Sequence, residues 1–279
     1  MRGLGMLLLL AGAANALPTT QLAPMRLRGG AALPAIQPKS MSTLTAGFHL
    51  ATGLGYSMLP ADTWAAGEGK VPVGTELLMT EIMGKEALTL AVVVWALGRG
   101  ESLCTAGMLA ALLNIALVMR FVLSRDYAKY MLPKEPLVLV CGLMALWAYV
   151  AGRDGAGLVD GDAFIKGSAA VLFVLTALPD LLTPVTHCSA YGIKEVSPRA
   201  VTMARTSGVL RAAYMSFAFL YKDAPMQAMA ATWGFSLANL LFGLSNQDFV
   251  QHGITTKPFF WTFLLCSYML YASFANMKA

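Results

Sequence analysis

The sequence predicts an all-α polytopic membrane protein with about eight transmembrane helices, arranged as two tandem parallel four-helix repeats. Of its 279 residues, 57% are apolar and only 13% are charged, and the mean hydropathy is +0.62. A water-soluble domain of this length would lack the polar surface to cover such a core. Eight apolar segments each come close to the length that crosses a hydrocarbon layer about 30 Å thick. The second four segments repeat the spacing of the first four.

Each predicted helix is bounded by a short polar or proline-containing breaker such as "GRGES", "MLPKEP", "YKDAP" or "TTKP", which is typical of tight reversals between antiparallel helices. The predicted helices are 42–60, 77–98, 103–124, 136–152, 167–184, 200–221, 226–244 and 258–275.

Residues 1–16 are predicted to be a signal peptide. Arg2 precedes a short apolar run, and Ala14 and Ala16 have the A-x-A spacing of a signal-peptidase site. Residues 17–41 form a transit-like or linker segment that is basic and hydroxylated, and the first acidic residue of the chain is Asp62.

The order of these two segments resembles the bipartite presequence of algae with secondary plastids. The resemblance implies a plastid, that is, a chloroplast, membrane. It departs from the usual pattern because Leu17, and not an aromatic residue, follows Ala16. An endomembrane or plasma-membrane protein with a basic linker is the alternative.

The repeat is visible in residue spacing. A shift of 124 places Pro60 on Pro184, Met79 on Met203 and Gly84 on Gly208; a shift of 122 places Pro136 on Pro258, Tyr149 on Tyr271 and "SRDY" on "NQDF". The repeats are predicted at 42–152 and 167–279, joined by a linker at 153–166. Four helices per unit make both repeats enter from the same side, so they are parallel and not inverted.

A proline-ended first helix followed by a helix with a glycine about one turn in ("TEIMGKEA", "ARTSGVLR") resembles the DoxX-like small membrane proteins, here in tandem. That family is functionally diffuse. The resemblance implies the four-helix fold. Some members of the family are associated with quinone-linked oxidation of sulfur compounds.

The stretch "TELLMTEIMGKEALTLAVVVWALG" at 75–98 places charges in an apolar helix. Under the shift of 124, Glu81 coincides with Arg205, which predicts that these two lie close together at the interface of the halves and offset the cost of intramembrane charge. The alternative is that this turn lies among lipid head groups and that Lys85 extends outward.

Further polar groups stand at predicted membrane depth. Asp180 follows Pro179 within an apolar run, and Arg211 lies in the sixth segment. Asn114 and Asn239 occupy the third and seventh segments, where an asparagine usually makes a packing hydrogen bond between helices and less often contacts a ligand.

Several function classes are excluded or disfavoured. The chain has no P-loop, G-x-S-x-G or HExxH motif. Its four cysteines and three histidines are dispersed, so no protein-built metal site is expected and the cysteines are predicted to be small buried hydrophobes. Its net charge of +5 has no basic run typical of nucleic-acid binding.

The sequence therefore favours a non-enzymatic accessory, assembly or scaffold protein, whose partners are the lipid bilayer and a photosynthetic or redox membrane complex. The alternatives are a carrier for a small metabolite between the two repeats and a DoxX-like quinone-associated oxidoreductase subunit. Pigment or quinone binding is compatible with the apolar segments, but no motif supports it. Lysines and arginines divide almost evenly between the two sides, so orientation is not determined.

Overall fold

The computed structural model describes residues 37–277 except 69–70, 131, 191–192, 194–195, 222–223 and 246–255. Over these residues the chain forms helices and no strand. The predicted signal peptide and nearly all of the transit-like segment lie outside the described residues.

Within the described residues, each of the eight predicted segments forms a helix, and three short α-helices and a 3-10 turn at Asp154–Gly157 accompany them. In chain order the helices are α1 Pro38–Met58, α2 Pro60–Glu68, α3 Thr75–Gly98, α4 Leu103–Leu123, α5 Asp126–Lys129, α6 Lys134–Gly152, α7 Gly161–Leu182, α8 Pro184–Ala190, α9 Pro198–Leu220, α10 Pro225–Ser245 and α11 Thr256–Asn276.

Two helices begin well before the predicted residue, by four residues at Pro38 and by six residues at Gly161. The first starts at Pro38, within the predicted transit-like segment, because proline suits the first turn of a helix. The fifth predicted helix starts at Gly161, within the predicted linker, because the Asp160 carboxylate accepts a hydrogen bond from the Ala163 N–H and caps it. Polar residues of a first turn lower the hydropathy but still belong to the helix.

Among the described residues, four helices are long and apolar enough to cross a membrane, judged by length and composition: α4, α6, α7 and α10. The prediction of about eight transmembrane helices is thus confirmed for the membrane class and for four of the segments only. On the outer faces of α6 and α7, large apolar side chains such as Leu143, Leu146 and Leu175 are exposed. Such a surface is typical of contact with lipid.

The two helices at the centre of the bundle are α3 and α9, which pack against each other. Helices α1 and α4 flank α3, and helices α7 and α10 flank α9; α6 packs on α4, and α11 packs on α10. Contacts between α3 and α9 advance in the same direction along both helices, from Ser197 on Glu76 to Met203 on Thr80 to Arg211 on Glu86. The two central helices are therefore parallel.

Two glycines allow α3 to approach α1 closely and α9 to approach α7 closely. A Cβ on Gly84 would lie 2.4 Å from the backbone nitrogen of Ser57, and one on Gly208 would lie 2.9 Å from the Cβ of Asp180. Lipid gives membrane helices no hydrophobic reason to associate, so close packing at small residues stabilises such crossings. The four cysteines are buried and unpaired by disulfides, as predicted.

Candidate functional site

A network of ionisable side chains, with buried carboxylates at Glu86 and Asp180 and partly buried partners around them, links the two central helices to α7 and α8. Lys85 and Glu86 belong to α3, Asp180 to α7, His187 to α8, and Arg211 and Tyr214 to α9. We call these six residues the charge network. Ionisable groups at such a depth in a membrane protein are costly, so they usually mark a functional or specificity-determining site.

The network lies near the middle of its two main helices. Glu86 is 11 residues after Thr75 and 12 residues before Gly98, which places it about 17 Å from either end of α3 at 1.5 Å per residue. It therefore lies well beyond the first turn of α3, which is the part of the helix that the head-group explanation concerns.

Glu86 accepts hydrogen bonds from three donors. Its Oε1 accepts from Arg211 at 3.0 Å and pairs with Lys85 at 3.2 Å, while its Oε2 accepts from the Tyr214 hydroxyl at 3.1 Å. Glu86 is only 2% exposed. A carboxylate this buried holds its charge because each oxygen has a charged or polar partner. Lys85 thus turns inward to Glu86 and is not directed outward.

Asp180 pairs with the Arg211 guanidinium through the terminal nitrogen that does not contact Glu86. Its Oδ2 accepts from Arg211 at 2.6 Å, and its Oδ1 lies 2.5 Å from Nδ1 of His187. The α7 helix departs from α-helical hydrogen bonding at Phe173–Ala177, where it makes a π-helical turn just before Pro179 and Asp180. Such turns recur at functional sites because they re-aim the side chains that follow.

A second ion pair joins the halves at the N-terminal ends of the central helices. Arg199 of α9 lies 3.9 Å from Glu76 of α3, and the Ser197 hydroxyl donates to Glu76 at 2.8 Å. The Arg199 guanidinium also stacks over the Trp64 ring at 4.3 Å. Both cross-half pairs set acid on α3 against base on α9.

The predicted pairing of Glu81 with Arg205 is wrong: the described residues contain no ion pair between them. Glu81 interacts with Tyr130, which follows α5, and the guanidinium of Arg205 lies over the Phe242 ring of α10 at 5.1 Å. Burial and the neighbouring Glu81 raise the pKa of the Tyr130 phenol above its ordinary value. At about 100° per residue, Glu81 lies about 140° around α3 from Glu76 and Glu86, and it faces α4. Arg205 lies about 120° around α9 from Arg199 and Arg211, and it faces α10.

Asn114 and Asn239 make hydrogen bonds between neighbouring helices. The Asn114 side-chain amide donates to the Thr89 hydroxyl at 2.9 Å, and the Asn239 amide donates to the Thr206 hydroxyl at 3.1 Å. Both bonds join the third helix of a half to its second, which is a packing role.

Sequence reasoning named Lys85, Asp180 and Arg211 but missed Glu86, His187 and Tyr214. Glu86 and Arg211 are 125 residues apart, one more than the repeat shift, so a search for opposite charges at equivalent positions passed over them. His187 was assigned to a connection, whereas it stands on the short helix α8.

The described residues offer little for a metal or a cofactor. Among them there is no group of three or more His, Cys, Asp or Glu side chains placed to hold a metal ion. A groove of about 490 Å³ runs between α6 and α7, lined by apolar side chains including Trp147, Phe164 and Val171. Its lining fits an apolar chain and offers no ligand for a metal.

No protein-family model, curated protein or solved structure matches this chain. The DoxX-like resemblance and the bipartite presequence therefore stay predictions. Functional inference rests on the geometry of the helices and of the charge network.

Proposed function

We propose that the protein is an integral membrane protein of two tandem parallel four-helix repeats, α1, α3, α4 and α6 in the first and α7, α9, α10 and α11 in the second. The packing supports this proposal, because the two halves have the same pattern of helix contacts. In each half the first helix contacts the second, the second contacts the third, and the third contacts the fourth. In both halves the second helix packs on the first, on the third and on its own equivalent across the interface.

Residue-level equivalences support the repeat further. Gly84 approaches Gly53, Tyr56 and Ser57, and Gly208 approaches the residues 124 positions later, which are Ala177, Asp180 and Leu181. The residues before the two equivalent prolines have nearly the same backbone angles, φ −133° and ψ 54° at Leu59 and φ −135° and ψ 53° at Thr183. A following proline disfavours the α region, and both residues lie outside it.

The parallel course of α3 and α9 favours a rotation axis along the helices over an inverted repeat. In an inverted pair, equivalent helices would run antiparallel across the interface. The repeat is tested by a structure determined in a lipid environment: superposition of the halves only after inversion would refute it.

We infer that this architecture serves as a non-enzymatic accessory, assembly or scaffold protein of a plastid membrane. One observation carries this conclusion: the interface between the halves is closed and its charges are paired. Thr80, Leu90 and Ala213 are fully buried there, and the carboxylates of Glu86 and Asp180 each have partners on a neighbouring helix. A buried, satisfied ion network favours one fixed arrangement of helices, which is what a scaffold requires.

The experiment combines location with co-purification. A C-terminally tagged full chain should localise to a plastid membrane and, after mild solubilisation, should elute with a photosynthetic or redox complex at a fixed ratio. The matched control is the Arg211→Ala variant, which should lose the complex if a fixed interface is needed. Location in the plasma membrane, or elution of the wild-type chain alone, would refute the scaffold proposal.

The charge network favours a second candidate, a carrier for a small metabolite with its path between the halves. Carrier sites are commonly built from interrupted helices at a repeat interface, and the network lies where α7 ends and α8 begins. Substrate uptake by liposomes that contain the purified protein, abolished by Glu86→Gln, would support a carrier. Quinone-dependent turnover of the same preparation would instead support the DoxX-like oxidoreductase alternative.

A further inference from the structure

The two short helices α2 and α8 occupy equivalent places, but different chemistry anchors them. Each begins at one of the equivalent prolines, Pro60 and Pro184, and follows the first long helix of its half. Helices of seven to nine residues are marginal in isolation, so side-chain contacts decide whether they stay docked.

Helix α2 is anchored by a large aromatic side chain. Trp64 is 6% exposed, its ring lies 5.7 Å from that of Tyr56, and its indole N–H donates to the Thr80 hydroxyl at 3.1 Å. The Arg199 guanidinium lies over the Trp64 ring, 4.3 Å from the ring centroid. Burial of an indole contributes a large apolar area that docks the helix.

The equivalent positions in the second half are small or polar. A shift of 124 places Trp64 on Cys188 and Tyr56 on Asp180. Helix α8 therefore has a thiol where α2 has an indole, and beside that thiol His187 contacts Asp180. The aromatic contact between first and short helix has been replaced by a histidine–carboxylate contact.

The helix that carries Asp180 also differs from its equivalent. The π-helical turn at Phe173–Ala177 precedes Asp180, while the equivalent α1 is a single continuous helix from Pro38 to Met58. Asp180 shares Arg211 with Glu86 through opposite guanidinium nitrogens. Movement of α8 away from Asp180 would thus open the charge network at one end and leave the Glu86–Arg211 pair in place.

We propose that α8 is a latch on the second half: the His187–Asp180 contact holds it closed over the charge network, and its release gives water access to Glu86 and Arg211 from the α8 end of the bundle. The first half has no such latch, because Trp64 fixes α2. Access is therefore one-sided, which distinguishes the two halves of an otherwise matched pair. This proposal depends on neither the scaffold nor the carrier function.

Cys188 of α8 supplies the reporter, because it is only 3% exposed while α8 is docked. In a full chain with Cys104→Ser, Cys141→Ser and Cys266→Ser, the rate of Cys188 alkylation by N-ethylmaleimide measures opening. Asp180→Asn and His187→Gln should each raise that rate by about three- to tenfold, the range expected when one interhelical contact that governs a local opening is lost. Asp126→Asn, which removes a carboxylate at α5, is the matched control and should leave the rate unchanged.

Hydrogen exchange of the unsubstituted protein keeps the proposal testable if the variants fail to fold. Amides of Pro184–Ala190 should exchange faster than those of Pro60–Glu68, because opening of α8 requires the loss of a polar contact and opening of α2 requires exposure of an indole. Equal protection of the two short helices would overturn the latch. So would an alkylation rate of Cys188 that is the same in wild type, Asp180→Asn and His187→Gln.

Discussion

Loss of the Arg211 side chain should destabilise the protein more than loss of any other single cation in the central helices. Its guanidinium is the group that reaches both buried carboxylates, at 2.6 Å to Asp180 and 3.0 Å to Glu86. Removing one partner of a buried ion pair leaves an uncompensated charge, which typically costs about 3–5 kcal/mol. In Arg211→Ala, Glu86 keeps Lys85 and Tyr214 and Asp180 keeps His187, so we expect a loss near the lower limit, about 3 kcal/mol.

A different physical account gives a much smaller value. If Arg211 acts only through ordinary hydrogen bonds between membrane helices, two such bonds at an average of about 0.6 kcal/mol would sum to little more than 1 kcal/mol. Unfolding in mixed micelles by increasing denaturing detergent, followed by tryptophan fluorescence, separates these values. A loss below about 1.5 kcal/mol would refute the uncompensated-charge argument.

Two further variants isolate the cause. Arg205→Ala removes a cation whose ring contact with Phe242 is a partly exposed cation–π interaction, which should cost about 0.5–1 kcal/mol. Neutralising both carboxylates in the Arg211→Ala background, with Glu86→Gln and Asp180→Asn, should recover part of the stability because the unpaired charges are gone. No recovery would mean that Arg211 acts through packing.

Two more predictions concern positions that the helix packing distinguishes, and a third concerns the predicted presequence. Gly84→Ala should cost about 1–3 kcal/mol by overpacking against α1, whereas Gly142→Ala, which meets nothing within 4 Å, should be neutral or slightly stabilising; equal thermal stabilities of the two variants would contradict this. The charge swap Glu81→Arg with Arg205→Glu should show no coupling beyond about 0.5 kcal/mol in a double-mutant cycle, and a clear rescue would restore the direct pairing. The mature N-terminus, measured by mass spectrometry, should lie between residues 28 and 45, and a stable start at Leu17 would favour the endomembrane alternative.

Hydropathy and the breaker residues were sufficient to predict the long helices. Each apolar segment between two breakers became a helix, and the main boundary differences come from polar first turns that hydropathy does not count, as at Asp160 and Gly161. The short helices α2 and α8 were not predicted, since seven to nine residues of mixed polarity resemble a connection. Their formation depends on tertiary contacts such as Trp64 with Thr80, which no local pattern shows.

The charge network was only half accessible to sequence reasoning for a geometric reason. Two residues at equivalent positions of a twofold repeat meet only if both face the axis; otherwise the rotation carries them to opposite sides. Glu81 and Arg205 would be equivalent in the proposed repeat, but they face α4 and α10 and not each other. Residues that do meet across the axis need not be equivalent. A side chain on one parallel helix can contact a residue one position before or after its equivalent on the other helix.

The observed pairs obey that geometry. Glu76 meets Arg199, which is one residue before the equivalent position, and Glu86 meets Arg211, which is one residue after it. In each case the equivalent of the charged residue itself is apolar: position 200 is alanine and position 210 is leucine. In both pairs the acid lies on α3 and the base on α9, so the two helices differ in charge where they meet. This difference lets ionisable groups pair between the central helices and favours one defined arrangement of the bundle.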